Sequence, residues 1–501
     1  MDLLLYPLIG SDSNSEWRPE LRLLCILACF DTDKLDFDII RWYNRQRGAT
    51  HEYIGTLKNC SFLEQGSEKG DDGSKMCKMP ELVRESAIAW VRKMKGEMGV
   101  WQRYCKMLEM LSKCYDERKK KYKNEVNEED WSYSPKVPLM AHFERFRIYV
   151  KGSAIKVLSE LTLSDNTVAH ILEFSSGYLA EGKHQKALHV LQFASRFYKE
   201  GKYHYKLSRA LVGAHISYQH DRTVSHPTGW EEPERICQEL LQHYKETGTE
   251  RQRGELILDL AKIYRLREKW EKAAEQLRSL ERIAVRRDDE GRPASPLTER
   301  EGKELSDDKW LILYVERAHG QLLLAMGCKR ETADDELEKA KAKLRTAKEA
   351  AMKWFPQNRT WIIDTDDLIA KATLERGTMK ELQEVEEILE RNLRELRCRA
   401  PLRRQFETEL HLAKIRMKGN KNRAPELVRS LEAFHIRLGK NYGDKDRATH
   451  ECQRLLDVAR SRLDDYKRAQ RRKLGVEILC FLAIGLLILY VVGVINRPRL
   501  L

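Results

Sequence analysis

An all-α chain, with a small N-terminal domain, a long array of paired helices and a single C-terminal transmembrane helix, is what this sequence predicts, on three observations. The composition is that of folded, solvated helices: 501 residues, 42% hydrophobic and 34% charged, with only 13 Pro and 27 Gly. Apolar residues recur at helical spacing on either side of Gly-containing turns between about residues 165 and 465. Finally, Ile478 to Ile495 is an uninterrupted apolar run of 18 residues.

Residues 18 to 115 hold helical patterns interrupted by the polar stretch from Gly66 to Ser74, which cannot continue a helix and suits a hairpin, so a small helical domain with a β wing is expected. Residues 116 to 164 read as a charged connector with a helical segment, Lys119-Lys120-Lys121 and Glu128-Glu129-Asp130 marking an exposed linker.

The repeat region, 165 to 465, begins with Ile171, Phe174, Tyr178, Gly182, Ala187, Leu191 and Ala194, where small and large apolar residues flank a turn. Leu260, Ala261, Tyr264, Trp270, Ala273, Leu277 and Leu280 repeat the pattern. These positions match divergent tetratricopeptide-like (TPR-like) repeats, with Tyr178, Gly182, Ala187, Tyr264, Trp270 and Ala273 as the expected packing residues. A third pair is expected over Trp310 to Met352, where Leu337, Ala340, Leu344, Ala347 and Ala351 form one helix stripe. Further pairs turn near Gly377 and Gly419, and the stretches 221–235 and 285–308 look like loop insertions.

As a helix the apolar run 478–495 would span about 27 Å, enough to cross a bilayer core. The basic segment before it (466–477, with Lys467, Arg468, Arg471, Arg472 and Lys473) outweighs the short tail 496–501. The positive-inside rule then keeps the long N-terminal side in the cytosol. The expectation is a single-pass, tail-anchored protein of the endoplasmic reticulum or mitochondrial outer membrane, its five basic residues lying against anionic lipid. No signal peptide is read at the N-terminus.

The formal charge is +13, from 91 Lys and Arg against 78 Asp and Glu. Both signs are interspersed, which reads as solvated helix faces, and no nucleic-acid partner is expected. The 11 cysteines include no C-x-x-C pair, as suits a reduced compartment. The sequons at Asn59 and Asn358 would matter only in a secretory lumen.

Several motifs imitate chemistry. Gly177 to His184 nearly fits a phosphate loop, but His184 replaces the metal-holding hydroxyl and the turn joins two helices. Leu23 to Phe30 with Asp31 imitates a Walker B strand and fits a helix better. Cys25 and Cys29, one helical turn apart, are better buried thiols than zinc ligands, and His215, His220 and His226 suit a solvated loop. Neither an enzyme nor a cofactor is indicated.

Two stretches carry a family resemblance. Leu21 to Asp33 with Asp38-Ile39-Ile40 resembles the start of the winged-helix domain that follows the nucleotide-binding module in fungal NLR-like (STAND) signalling NTPases. Met79-Pro80-Glu81-Leu82-Val83-Arg84, with Ala89-Trp90 and Trp101-Gln102-Arg103, is similar to that domain's closing segment, Pro80 standing where histidine is usual. The resemblance covers about residues 18–465 and implies a winged-helix-like domain followed by tetratricopeptide repeats. The family's nucleotide-binding module, with its phosphate loop and Walker B acid, is absent, so its NTPase switching transfers to no residue here. What transfers is a repeat surface for binding. The function expected is a tail-anchored adaptor or scaffold that binds cytosolic proteins at a membrane, in fungal-type NLR signalling. The alternative is a truncated or split signalling NTPase whose nucleotide-binding module is missing or supplied by a partner, and DNA binding through the winged helix is a weaker rival.

Overall fold

The computed structural model describes residues 19–30, 35–36, 39, 51–69, 75–125, 137–152, 162–221, 229–284, 304–329, 334–399, 402–419, 424–442 and 447–495. Two compact units divide the chain, residues 1–311 with 397–403 and residues 312–396 with 404–501.

In the first unit, α1 (Pro19–Leu27) starts on a proline whose fixed φ suits the first helical position, and it buries Leu21, Leu23, Leu24, Cys25, Ile26 and Leu27. An apolar residue on every side makes it the centre of the N-terminal module. β1 (Leu35–Asp36), α2 (His51–Asn59), β2 (Glu64–Lys69) and β3 (Lys75–Lys78) follow. The strands form an antiparallel sheet in the order β1-β3-β2, with Leu35 and Gln65 both opposite Cys77. The polar Gly-rich stretch is thus a hairpin, although residues 70–74 lie outside the described ones.

Helix α3 (Glu81–Glu125) runs through the expected 115/116 boundary and is broken by Gly96, at φ 62° and ψ −169°. Only glycine adopts that conformation readily. Before the break Val83, Ala87 and Val91 are buried; beyond it Trp101 packs on Phe146 of α4 (Val137–Gly152). The remaining connector, 126–136, lies outside the described residues.

Helix pairs follow. The first unit holds α5 (Asp165–Ala180) with α6 (His184–Phe197), α7 (His204–Asp221) with α8 (Glu231–Thr247), and α9 (Glu250–Leu266) with α10 (Trp270–Ala284). The second holds most of α11 (Glu304–Gly327), with α12 (Asp334–Trp354), then α13 (Arg359–Arg376) with α14 (Met379–Arg399), and α15 (Leu402–Gly419) with α16 (Ala424–Tyr442). α17 (Arg447–Ile495) closes the array. The five-residue stripe from Leu337 to Ala351 is wholly buried. Gly377 caps α13, as its composition suggested. Of the two expected insertions, 222–228 and 285–303 lie outside the described residues, while 231–235 belongs to α8.

Two turns share one geometry. After α5 the N–H of Lys183 donates to Tyr178 O (2.8 Å) and that of Gly182 to Leu179 O (3.2 Å). After α9, Lys269 donates to Tyr264 O (2.9 Å) and Glu268 to Arg265 O (3.1 Å). The left-handed position is Gly182 in one (φ 73°) and Glu268 in the other (φ 58°). A side chain there costs about 1 kcal/mol. Glu268→Gly should therefore stabilise the chain by about 0.5–1 kcal/mol and Gly182→Ala destabilise it by a similar amount, as chemical denaturation would show.

Helices α11 and α12 approach closely at glycines. A Cβ on Gly320 would lie 2.7 Å from Leu344 Cγ, and one on Gly327 2.8 Å from Leu337 Cγ. This close approach lets the buried stripe of α12 reach α11.

The C-terminus corrects the sequence reading. Among the described residues no helix is long and apolar enough to cross a membrane. The apolar residues 478–487 continue the helix that starts at Arg447 and carries Arg471, Arg472, Lys473 and Glu477 immediately before them. The rest of the expected span, 488–495, lies outside the residues whose side chains are described. The transmembrane helix, and with it the tail-anchored membrane localisation, is therefore not supported.

Candidate interaction surfaces

Of the expected packing residues in the first unit, Tyr178, Ala187, Tyr264 and Ala273 are buried, Gly182 makes the turn, and Trp270 is half-buried. Tyr178 joins a ring cluster with Phe143 (5.5 Å), which also stacks on Phe174 (5.2 Å). Its hydroxyl donates to Glu144 Oε2 at 2.6 Å. Burial by itself raises the Glu144 pKa; hydrogen bonds from Arg147 and Tyr178, with Lys186 3.3 Å away, outweigh it and hold the carboxyl at about 2, against an ordinary 4.5. A depressed carboxylate stabilises the fold above its unfolded pKa and ceases to do so as pH falls through the folded one. Glu144 is 24% exposed, so after screening the contribution is about 1–2 kcal/mol. The stability gap between wild type and Glu144→Gln should be constant above pH 4.5 and close between pH 4.5 and 2 in urea titrations.

Polar residues link the first helices of successive pairs. From α7, the Tyr205 hydroxyl donates to Glu255 Oε2 of α9 (2.8 Å), and Arg209 donates to Glu255 (2.5 Å) and to Asp259 (3.0 Å). Burial raises the Asp259 pKa, with Arg209 acting against it.

The second unit builds a longer strip. Arg317 of α11 stacks over the Trp361 ring of α13 (4.8 Å) and sits 3.6 Å from Asp364. Burial brings the Arg317 pKa down to about 10, opposed by Tyr314 and Asp367. Thr408 of α15 donates to Asp367 (2.9 Å), and His411 Nδ1 is 3.6 Å from the same carboxylate. Lys414 pairs with Glu451 of α17. The positions 361, 364 and 367, like 408, 411 and 414, recur every third residue and so stay near one helix face.

On the other side of α13 lies a cleft of about 280 Å³ between α12 and α14. Its lining includes Met352, Ile369, Val385 and Ile388, with Glu349 and Glu384 beside them. Lys348 spans to the buried Asp366 (2.6 Å), which also accepts from Asn392 (3.0 Å). Lys341, fully buried, is held by Glu338 (2.6 Å) and Glu381 (3.2 Å).

The other sequence motifs disperse. Gly177 is a buried residue inside α5, and the phosphate-loop look-alike ends in a helix-to-helix turn. Cys25 and Cys29 are buried on and just after α1; burial pushes Cys25 up to about 12 and raises Cys29 well above its ordinary value, so both stay thiols. Among the described residues no cluster suits a metal ion. His215 and His220 lie in α7, not in a loop, with His215 buried beside Gln192 (3.5 Å); His226 lies outside the described residues. Asn358 caps α13, accepting from Trp361 N. Lys467, Arg468, Arg471, Arg472 and Lys473 are exposed on α17, Lys473 being 3.8 Å from Glu477. Sequence reasoning missed Arg209, Glu255, Arg317 and Asp367. The acid-rich Asp364-Thr365-Asp366-Asp367 directly after apolar residues was the one available signal.

No protein-family model and no curated protein matches the sequence. Among solved structures, the chain is similar to a Signal Transduction ATPase with Numerous Domains (STAND) protein with a tetratricopeptide repeat sensor from Pyrococcus horikoshii, with TM-score 0.46 and 13% identity. That match covers 91% of this chain and 59% of the other, so this chain spans under two thirds of its length. Human IFIT1, solved as a dimer with m7Gppp-AAAA, matches with TM-score 0.34 and 15% identity over 90% and 93% of the two chains. A circular tandem repeat protein follows at 0.19 and 13% over 94% and 100%. At TM-scores under 0.5 none of them carries a functional conclusion to this chain. Its own stacked helix pairs give it a scaffold-like helical-repeat fold.

Proposed function

We propose that this chain is a non-enzymatic scaffold that binds protein partners along the first helices of its repeats, as a component of NLR-like signalling. The observation that carries the reading is the half-buried polar strip from Arg317 through Asp364, Asp367 and His411 to Lys414 and Glu451, which crosses the first helices of three successive pairs (α11, α13 and α15) and reaches α17 within one unit. Charged groups left partly exposed across several repeats give a partner an extended row of contacts, the use to which repeat arrays lend themselves. The order of helix, short strand, helix and hairpin supports a winged-helix-like reading of the N-terminal module, which would serve as a second contact site.

A photo-crosslinking residue at the exposed Tyr314 of the full chain tests this. One protein should be captured there, bind the purified chain saturably, and bind Lys414→Glu more weakly. Absence of any adduct from position 314 in a folded chain, or purified binding unchanged by Lys414→Glu, overturns the reading.

A further inference from the structure

The cleft between α12 and α14 has its own chemistry. The two helices precede and follow α13 in the chain, and the chain's charges meet across them: Lys348 is taken by Asp366, Lys341 by Glu338 and Glu381, and Arg345 comes within 4.0 Å of Glu381. Glu349 on α12 and Glu384 on α14 are exposed at the same cleft and enter no ion pair or hydrogen bond among the described residues. The same cleft is lined by Ile369, Val385, Ile388 and Met352, the last 48% exposed. The two unpaired charges of the lining are thus both acidic, and they share the cleft with four apolar side chains.

At about 280 Å³ the cleft falls just under the size range of small-molecule sites, about 300–1,000 Å³, and suits a side chain better than a whole cofactor. Met352, an unbranched thioether, can adapt its shape to such a side chain. We infer that this cleft receives a partner peptide in which a bulky apolar residue is flanked by Lys or Arg, the apolar residue against the apolar side chains and the basic ones against Glu349 and Glu384. The chain carries +13 overall, so a basic segment would be held here by local complementarity and not by the general field. The inference rests on the scaffold reading above and adds a second site on the opposite side of α13 from the polar strip.

The test is fluorescence anisotropy on the full chain with two labelled twelve-residue peptides. Both carry one central Phe; one flanks it with Lys, the other with Glu at the same positions. The Lys peptide should bind wild type in a salt-sensitive manner, and Glu349→Lys/Glu384→Lys should weaken it at least about tenfold while gaining affinity for the Glu peptide. Both positions are exposed, so circular dichroism should be unchanged. Equal binding of the Lys peptide by wild type and double variant, preference of wild type for the Glu peptide, or no binding of either, overturns the assignment. Self-association in sedimentation that the double variant abolishes also overturns it, by giving the cleft to a second copy. If the partner crosslinked at position 314 binds the double variant normally while the peptide assay fails, the cleft is wrong and the scaffold reading stands.

Discussion

Gly320→Val is expected to destabilise the second unit by about 3 kcal/mol, seen as a lower urea midpoint and faster proteolysis between α11 and α12. An added Cβ alone would meet Leu344 Cγ at 2.7 Å, Leu344 Cδ2 at 2.9 Å and the Ala340 carbonyl oxygen at 3.4 Å. The first two atoms belong to a fully buried leucine, and the third is backbone on the same helix, so neither neighbour has room to retreat. Valine adds two methyl groups and some helix-propensity cost. Leu344→Ala alone should cost about 2–5 kcal/mol through the cavity it leaves. Combined with Gly320→Val it should cost less than the sum, because the new methyls occupy that cavity. Strict additivity would mean that the two positions do not share one contact.

Asp366→Ala should cost about 3–4 kcal/mol in the same assay. Its side chain is 6% exposed and accepts from Lys348 and from the buried Asn392, so removal strands an ammonium and an amide together. Asp366→Asn should lose less, since it keeps an acceptor while giving up the charge. Asp366→Ala combined with Lys348→Met should recover part of the loss by removing the stranded charge. A cost under about 1 kcal/mol for Asp366→Ala would show that water reaches Lys348 freely.

The repeats were legible because their signal is local. The Leu337 to Ala351 stripe lies within one helix, and Tyr178, Gly182 and Ala187 mark a turn within ten residues. Nothing so local marks the interaction surfaces: Arg209 meets Glu255 across 46 residues, Thr408 meets Asp367 across 41, and Tyr178 meets Glu144 across 34. The cleft needs two helices separated in sequence by a third. At the C-terminus the sequence misled for a different reason. Apolar composition from Ile478 to Ile495 says how greasy a segment is, whereas the helix that contains it begins at Arg447 and is charged up to Glu477. His215 was misplaced because a polar ring beside a proline-rich stretch looks solvated until its partner Gln192, on the preceding helix, is known.

The break at Gly96 divides α3 into two separately hydrogen-bonded rods that share one peptide hinge. The first rod carries the apolar face containing Val83, Ala87 and Val91 in the N-terminal module; the second carries Trp101 into the rings of Phe146 and Phe193. The aim of one rod relative to the other is therefore written in a single pair of backbone torsions. A side chain at residue 96 would not merely weaken the helix. It would favour one straight rod of 45 residues, and the aromatic anchor and the N-terminal core could no longer both be seated.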